Sequence, residues 1–214
     1  MSLNKRNCKH CGVNFQKEKP LQYCCSVKCS IAYAKVQETN KKYKDWLHRK
    51  GDLKKSLETK SDVIKTLQGL INELIRLIDY GQLCISSQRT PLKQNAGHFH
   101  SVGAHPKLRF NLFNIFLQSE KDNSYLSGNQ LNYMINLGNI FGETVKEQII
   151  GLPLKCENIN LDIDDLKEAI EKTRQCIKMH KQEYIGVKLK HRERLSIRQL
   201  YQKKIGLYPG LNNF

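Results

Sequence analysis

Four thiols near the amino terminus have the spacing of a metal centre. Cys8 and Cys11 sit in "CKHC", a spacing that lets two thiolates grip one ion from a tight knuckle, with Gly12 free to take the left-handed turn that follows. Cys25 and Cys29 lie one helical turn apart in "YCCSVKC" and face a common point if a helix begins near Ser26. Cys8, Cys11, Cys25 and Cys29 make a tetrahedral thiolate set, for which zinc is the expected ion. A closed set of four ligands implies structure, not catalysis. Cys24 is left over, and His10, between two ligands, is expected to point outward.

A second stretch, "NAGHFHSVGAHPKLRFN" over 95–111, gathers three histidines, two glycines, a proline and two basic residues. The imidazole of His98 could accept a proton from water as a solvent-facing base. Gly97 before it would let the backbone bring that ring close to a bulky substrate. His100 would share a face with His98 if both lay in one strand. Asn114 could orient an imidazole or ligate a divalent ion, and Lys107 and Arg109 can meet phosphate. The same residues could also form a polar loop with no chemistry.

These groups need elements to hold them. From Ser30 to about Leu57 a loose apolar stripe among many lysines predicts a helix, which Gly51 is expected to break or fray. Ser61 is the expected N-cap of a better helix, whose Val63, Ile64, Leu67, Leu70, Ile71, Leu74, Ile75 and Ile78 recur every three or four residues until Gly81. Over 82–126 the helical period disappears, and Leu83/Ile85, Leu108/Phe110 and Ile115/Leu117 alternate as in short strands. Helical patterns return after "LSGN", in "NLDIDDLKEAIEKTRQCIKMHKQ" and in "KLKHRERLSIRQLYQKKIG".

The chain has 214 residues and a formal charge of +16, distributed unevenly. Residues 1–60 hold fifteen Lys/Arg against five Asp/Glu, 61–160 nine against eight, and 161–214 twelve against seven. Basic ends around a nearly neutral centre attract a polyanion, because each phosphate neutralised releases condensed counterions. Nucleic acid is therefore the expected partner. No apolar run reaches the roughly 18 residues that span a bilayer, and the first residues do not read as a signal peptide, so a cytosolic chain with reduced cysteines is expected.

"AGHF", "LRFN", Asn114-Ile115 and "SGN", together with "CKHC", "CSVKC" and "LINELIRLID", resemble the NinG (Rap) family of phage recombination proteins. The resemblance implies an endonuclease of the HNH, or ββα-metal, type that acts on branched DNA such as Holliday junctions or D-loops. It implies metal-assisted hydrolysis with magnesium or manganese, in the cytoplasm of a bacterial host, encoded by a phage or prophage. His98 would be the general base and Asn114 the middle asparagine, with His100, two residues on, as a further candidate catalytic residue and Lys107 and Arg109 as candidate DNA contacts. The fold class is then α+β: mostly helical, with an N-terminal zinc knuckle and a small central ββα-metal module flanked by long helices. Its segments are a zinc ribbon over 1–35, basic and amphipathic helices over 36–80, the nuclease module over 81–151 and a basic helical region over 152–214. Oligomers are compatible with this reading, and a membrane is not expected.

This chain departs from the family pattern. Two Cys-x-x-Cys pairs around the module read here as Cys84/Ser87 and Ser119/Asp122, so a second zinc is not expected. Packing through Leu83, Ile85, Phe110, Ile115 and Leu117 is expected to compensate, since a structural zinc contributes on the order of 10 kcal/mol. Asn95 stands where the pattern has Asp, Phe116 where a His is usual and Tyr125 where the terminal His would be; Asp122 or Asn123 could offer oxygen to magnesium instead. The alternative reading is a zinc-containing DNA-binding protein with a degenerate site. A third is a module that recruits partners through the 61–80 helix.

Overall fold

The computed structural model describes residues 5–157 and 160–208, apart from the side chains of 54–56. The expected ribbon's first residues, 1–4, the pair 158–159, and 209–214 of the basic C-terminal region lie outside the described residues. The chain divides into two compact units, 1–58 and 59–214.

In the first unit β1 (Lys5–Asn7) and β2 (Asn14–Gln16) form an antiparallel hairpin with Arg6 opposite Phe15. The turn between them is the Cys8–Cys11 knuckle. Gly12 N donates to the Cys8 carbonyl with Gly12 at φ +76°, a conformation that an L side chain resists. Helix α1 (Val27–Ser56) follows. Ser26 starts it, its hydroxyl accepting from Cys29 N at 3.2 Å. Gly51 does not break this helix, contrary to the sequence expectation. One glycine in an exposed helix costs only about 1 kcal/mol, and the flanking lysines and leucine are good helix formers.

The second unit is built on α2 (Lys60–Ile78), which buries Val63, Leu67, Ile71, Leu74, Ile75 and Ile78 completely. Each such side chain contributes about 1.5–3 kcal/mol as an upper estimate. The cap is Thr59, not Ser61: Thr59 and Asp62 form a reciprocal capping box, so the third-position acid decided the start. Strands β3 (Gln94–His98) and β4 (Ile115–Ser119) pair antiparallel, with His98 opposite Ile115 and Gly97 opposite Phe116. Of the three expected strand pairs only Ile115/Leu117 lies in a strand. Leu83 and Ile85 sit in turns, where Cys84 N donates to the Arg89 carbonyl, and Leu108 closes a 3₁₀ turn over Pro106–Leu108. A short π-helical turn at Lys121–Tyr125 leads into α3 (Gln130–Phe141), α4 (Glu143–Ile150) and α5 (Leu152–Lys155).

Helix α6 (Ile163–Tyr184) begins at an Asp162–Asp165 capping box and packs along α2; α7 (His191–Ile205) ends at Gly206, φ +82°. The result is α+β and mostly helical. No helix of the described residues is long and apolar enough to cross a membrane.

At the centre of this unit lies an ion triad that the hydropathy pattern did not reveal. Asp79, fully buried at the end of α2, accepts from Arg194 Nε at 2.9 Å and from an Arg198 guanidinium nitrogen at 2.8 Å. It also accepts from Leu117 N of β4 at 2.9 Å. Arg198 donates further to the carbonyls of Leu112 and Ile115, and lies 4.3 Å above the Phe116 ring. Burial alone would raise the Asp79 pKa, but Arg194 and Arg198 outweigh it and hold the carboxyl at about 2.

Removing one partner strands the others without solvent, so Asp79→Asn should cost about 3–5 kcal/mol, read from urea unfolding by circular dichroism. A loss under 1 kcal/mol contradicts this role. The folded pKa lies below the unfolded carboxyl value, so the stabilisation is complete above about pH 4 and is lost as pH falls toward the folded value. Wild type should lose stability across that window, and Asp79→Asn should lose less.

Candidate functional site

Two constellations carry the chemistry, one in each unit. In the first, the sulfurs of Cys8, Cys11, Cys25 and Cys29 all lie within 4.8 Å of one another, close enough to hold a zinc ion. Cys11 and Cys25 are 3.6 Å apart, and Cys25 and Cys29 are 3.7 Å apart. Backbone N–H groups of Cys11, then of Cys25 and His10, outweigh burial and bring the Cys8 thiol down to about 5. Crowding by the Cys11 and Cys29 thiols, with burial, pushes Cys25 up to about 12. One sulfur is readily a thiolate, and full deprotonation of the set calls for a cation. The donor set therefore fits a tetrahedral thiophilic ion. Cys24 stays outside the cluster, buried beside it.

In the second unit the 99–114 loop joins β3 to β4, and Asn114 is its staple. This side chain is fully buried; its Oδ1 accepts from His100 N at 2.7 Å, and its Nδ2 donates to the carbonyls of His100 at 3.0 Å and Leu108 at 3.3 Å. Both ends of the amide are thus occupied by backbone. Asn114 shapes the loop and makes no hydrogen bond to an imidazole.

His98 ends β3 and is half-buried, which corrects the expectation of a solvent-facing base. Its Nε2 is 2.9 Å from the Arg109 carbonyl. A carbonyl only accepts, so Nε2 carries the proton and Nδ1 holds the lone pair. Burial pulls the His98 pKa below the usual imidazole range, against the Arg109 carbonyl, which favours the charged form. The strand stops at His98, so the alternation that would set His100 on the same face stops too. His100 Nε2 instead bonds the Ile149 carbonyl at 2.9 Å, and its ring meets His105 edge-on at 5.1 Å.

Lys107 and Arg109 are half-buried on the turn around Pro106–Leu108, their side chains without an ion pair among the described residues. Their backbones are used: the Lys107 carbonyl accepts from Tyr208 Oη, and that of Arg109 from His98.

Gly97 serves packing rather than substrate approach. A Cβ there would fall 1.9 Å from Gln118 Oε1, because the buried Gln118 side chain crosses it to reach Ser86 Oγ and the Gly128 carbonyl. Tyr133 Oη donates to the Gly97 carbonyl at 3.0 Å. Asn95, on the same sheet face, is half-buried; Phe116 is fully buried; Tyr125 is 76% exposed. Of the three positions that depart from the family pattern, Asn95 and Phe116 lie on one face of the strand pair and Tyr125 in the π-helical turn that follows β4.

Cys84, Ser87, Ser119 and Asp122 are brought together, around a carboxylate. Asp122 Oδ2 accepts from Cys84 Sγ at 3.2 Å, Ser87 Oγ at 2.8 Å and Ser119 Oγ at 2.5 Å, while Oδ1 accepts from Asn129 Nδ2 at 2.9 Å. Burial opposes ionisation, yet donors from Ser119, Asn129, Ser87 and Cys84 hold Asp122 at about 2. Its oxygens are therefore engaged inside the module, with Asn123 half-buried beside it. Sequence reasoning expected packing to compensate here. Ile85, Phe110, Ile115 and Leu117 are buried, but Leu83 is 45% exposed, and the knot was missed although its paired i, i+3 spacing was visible. A cleft of about 940 Å³ opens next to the knot, lined by Arg89, Lys93, Lys121 and Asn132 among others, but not by His98 or Asn114.

No solved structure matches the chain. It is 36% identical over 97 residues to Protein ninG of Enterobacteria phage H19B, covering 45% of this chain and 48% of that protein. The proteins named Protein ninG from Escherichia phage lambda and Salmonella phage P22 are 35% and 34% identical over the same shares. The chain spans about half the length of the curated relatives it matches. The family model described as Bacteriophage Lambda NinG protein matches residues 1–183. A match over most of the sequence, including both the thiol cluster and the stapled loop, places this chain in the NinG family.

Proposed function

We propose that this protein is an endonuclease of phage recombination that hydrolyses phosphodiesters in branched DNA, with His98 as general base. The observation that carries the reading is the hydrogen bond from His98 Nε2 to the Arg109 carbonyl. It fixes the tautomer, leaves Nδ1 able to take a proton from water, and acts on a ring that burial keeps neutral. Asn114 supports this by holding the loop that carries Arg109, and Lys107 and Arg109 can meet the phosphates on either side. A divalent cation, when bound, would supply charge stabilisation at the scissile phosphate. Among the described residues no trio of His, Cys, Asp or Glu gathers beside His98, so the residues present do not form a protein cage for it. The ribbon is read as structural, with zinc on its four thiols.

A second reading, DNA binding without cleavage, is favoured by buried Phe116 and by the engaged carboxylate of Asp122. Both readings place the basic ends on the phosphate backbone.

Cleavage of a labelled four-way junction, with magnesium or manganese and without, separates the two. His98→Ala should abolish cutting. It should also lower stability by about 1–3 kcal/mol, because the Arg109 carbonyl loses its donor. His98→Gln, which can keep a donor there, should fold better and still not cut. Cutting by either variant at the wild-type rate removes His98 from the mechanism. With a folded pKa held below the ordinary value of about 6.5, the base form persists at pH 6.5, and the rate should fall only at lower pH. An acid limb centred above pH 7 speaks against the assignment.

Native mass spectrometry should find one zinc per chain. Chelation should unfold the first unit and leave the melting of the second unchanged, since a carboxylate knot needs no metal. Two zinc ions, or a second unit that melts earlier after chelation, would count against both assignments. Cys24→Ser should keep the zinc and Cys25→Ser should lose it.

A further inference from the structure

Helix α1 carries a repeat of seven residues that the nuclease reading leaves unused. Lys35, Lys42 and Arg49 form one row, Val36, Tyr43 and Lys50 the next, and Thr39, Trp46 and Leu53 a third, while Glu38, Asp45 and Asp52 run along the opposite side. Val36, Tyr43, Trp46, Leu47 and Leu53 therefore lie along one side of the helix, interrupted by Thr39 and Lys50, a short seam against which another helix could pack.

The stripe is exposed: Val36 by 49%, Tyr43 by 60%, Trp46 by 47% and Leu47 by 45%. Tyr43 and Trp46 stack with ring centroids 5.9 Å apart, and Lys50 Nζ lies 4.9 Å over the Trp46 ring, so the surface is preorganised. Exposed apolar side chains grouped on one side of a helix suit a protein contact, in which the aliphatic groups of Val36, Leu47 and Leu53 would be covered together with the rings.

We propose that this face docks an acidic amphipathic helix of a partner protein. Charge decides the occupant. Glu38 pairs with Lys42 at 2.7 Å and so takes up one cation of the edge row, while Asp52 pairs with His48 at 3.0 Å on the far side. The edges of the stripe therefore present Lys35 and Arg49 on one side and Lys44 on the other. A second copy fits poorly: parallel, it sets Lys50 against Lys50, and antiparallel, it sets the Lys35/Lys42/Arg49 row against itself. A helix with an apolar seam and glutamates at its edges satisfies both the seam and the charges. This inference does not depend on whether His98 acts as a base.

The test uses the full zinc-loaded chain and two designed peptides of about four heptads, with leucine seams and either glutamate or lysine edges. Trp46 is the only tryptophan, so its fluorescence reads the face directly. The glutamate peptide should bind, shift Trp46 emission to the blue and weaken with salt, while the lysine peptide should bind at least about tenfold more weakly. Tyr43→Glu/Leu47→Glu should lose the glutamate peptide with zinc content and helicity unchanged, and Lys41→Ser, on the far side, should keep it. If that double variant does not fold, Leu47→Ser serves in its place. Failure of the glutamate peptide to bind overturns the proposal. So does a wild-type dimer in sedimentation that the double variant dissolves, which makes the occupant a second copy. A blue shift given by duplex DNA and not by the peptide makes it nucleic acid.

Discussion

The buried carboxylate of Asp79 is the point on which the second unit closes. It ties the end of α2 to β4 through Leu117 N and to α7 through two guanidiniums, one of which reaches onward to the Leu112 and Ile115 carbonyls. Ionic groups lose solvation on burial, and this one is tolerated because Asp79 is surrounded by three donors and two positive charges. Arg198 gains further from the face of Phe116. The consequence reaches the candidate site: Ile115 sits opposite His98, so the residue that anchors β4 to Arg198 also positions the strand end that carries the imidazole. Phe116 is thereby committed to the triad. A non-aromatic side chain at this position would give up the ring that supports the guanidinium.

The chain builds two four-residue junctions by different chemistry. In the first unit thiols converge at a separation that fits an ion, and a structural zinc would stabilise such a fold by about 10–16 kcal/mol. In the second unit a carboxylate occupies the centre, and a hydrogen bond to a charged group contributes about 1.5–3 kcal/mol each. A knot of this kind is weaker than a metal and needs support. That support is present in the completely buried face of α2 and in α7, which supplies Arg194 and Arg198 from beyond the family-matched residues 1–183. Among the described residues the first unit has no comparable core, its helix being exposed along most of its length, and so it would depend more on a metal held by its four thiols.

Much of this was legible because it is local. The thiol set follows from two short spacings, α2 from an unbroken 3.6-residue stripe, and α6 from acids at its start and a lysine in its last turn. The strand pair was less so, because β3 contains Asn95, Gly97 and His98 and has no β-branched residue; only its partner β4 reads as a strand. Gly51 misled because it is judged by intrinsic propensity, which one position seldom decides. Asp79, Gln118 and Tyr133 could not be read at all. Their partners lie 115 residues away in the case of Arg194, and 36 in the case of Gly97 with Tyr133, and no periodicity encodes such a pairing. At the candidate site the residue types were legible and their roles were not: Asn114 holds backbone, and Gly97 makes room for a glutamine.

Half-burial of His98 bears on the proposed role of the ring as a base. A solvent-facing imidazole would sample both tautomers and both charge states near neutral pH, and only part of the population would be ready to take a proton. Seating Nε2 on the Arg109 carbonyl selects one tautomer, and desolvation selects the neutral ring. The same bond couples the ring to the turn that presents Lys107 and Arg109, so under the proposed reading a phosphate drawn to those cations would meet an imidazole that is already oriented. Placing the strong positive charge at the chain's ends is consistent with this arrangement. Under the proposed reading the ends would supply affinity for phosphate, while the ring lies in a nearly neutral segment.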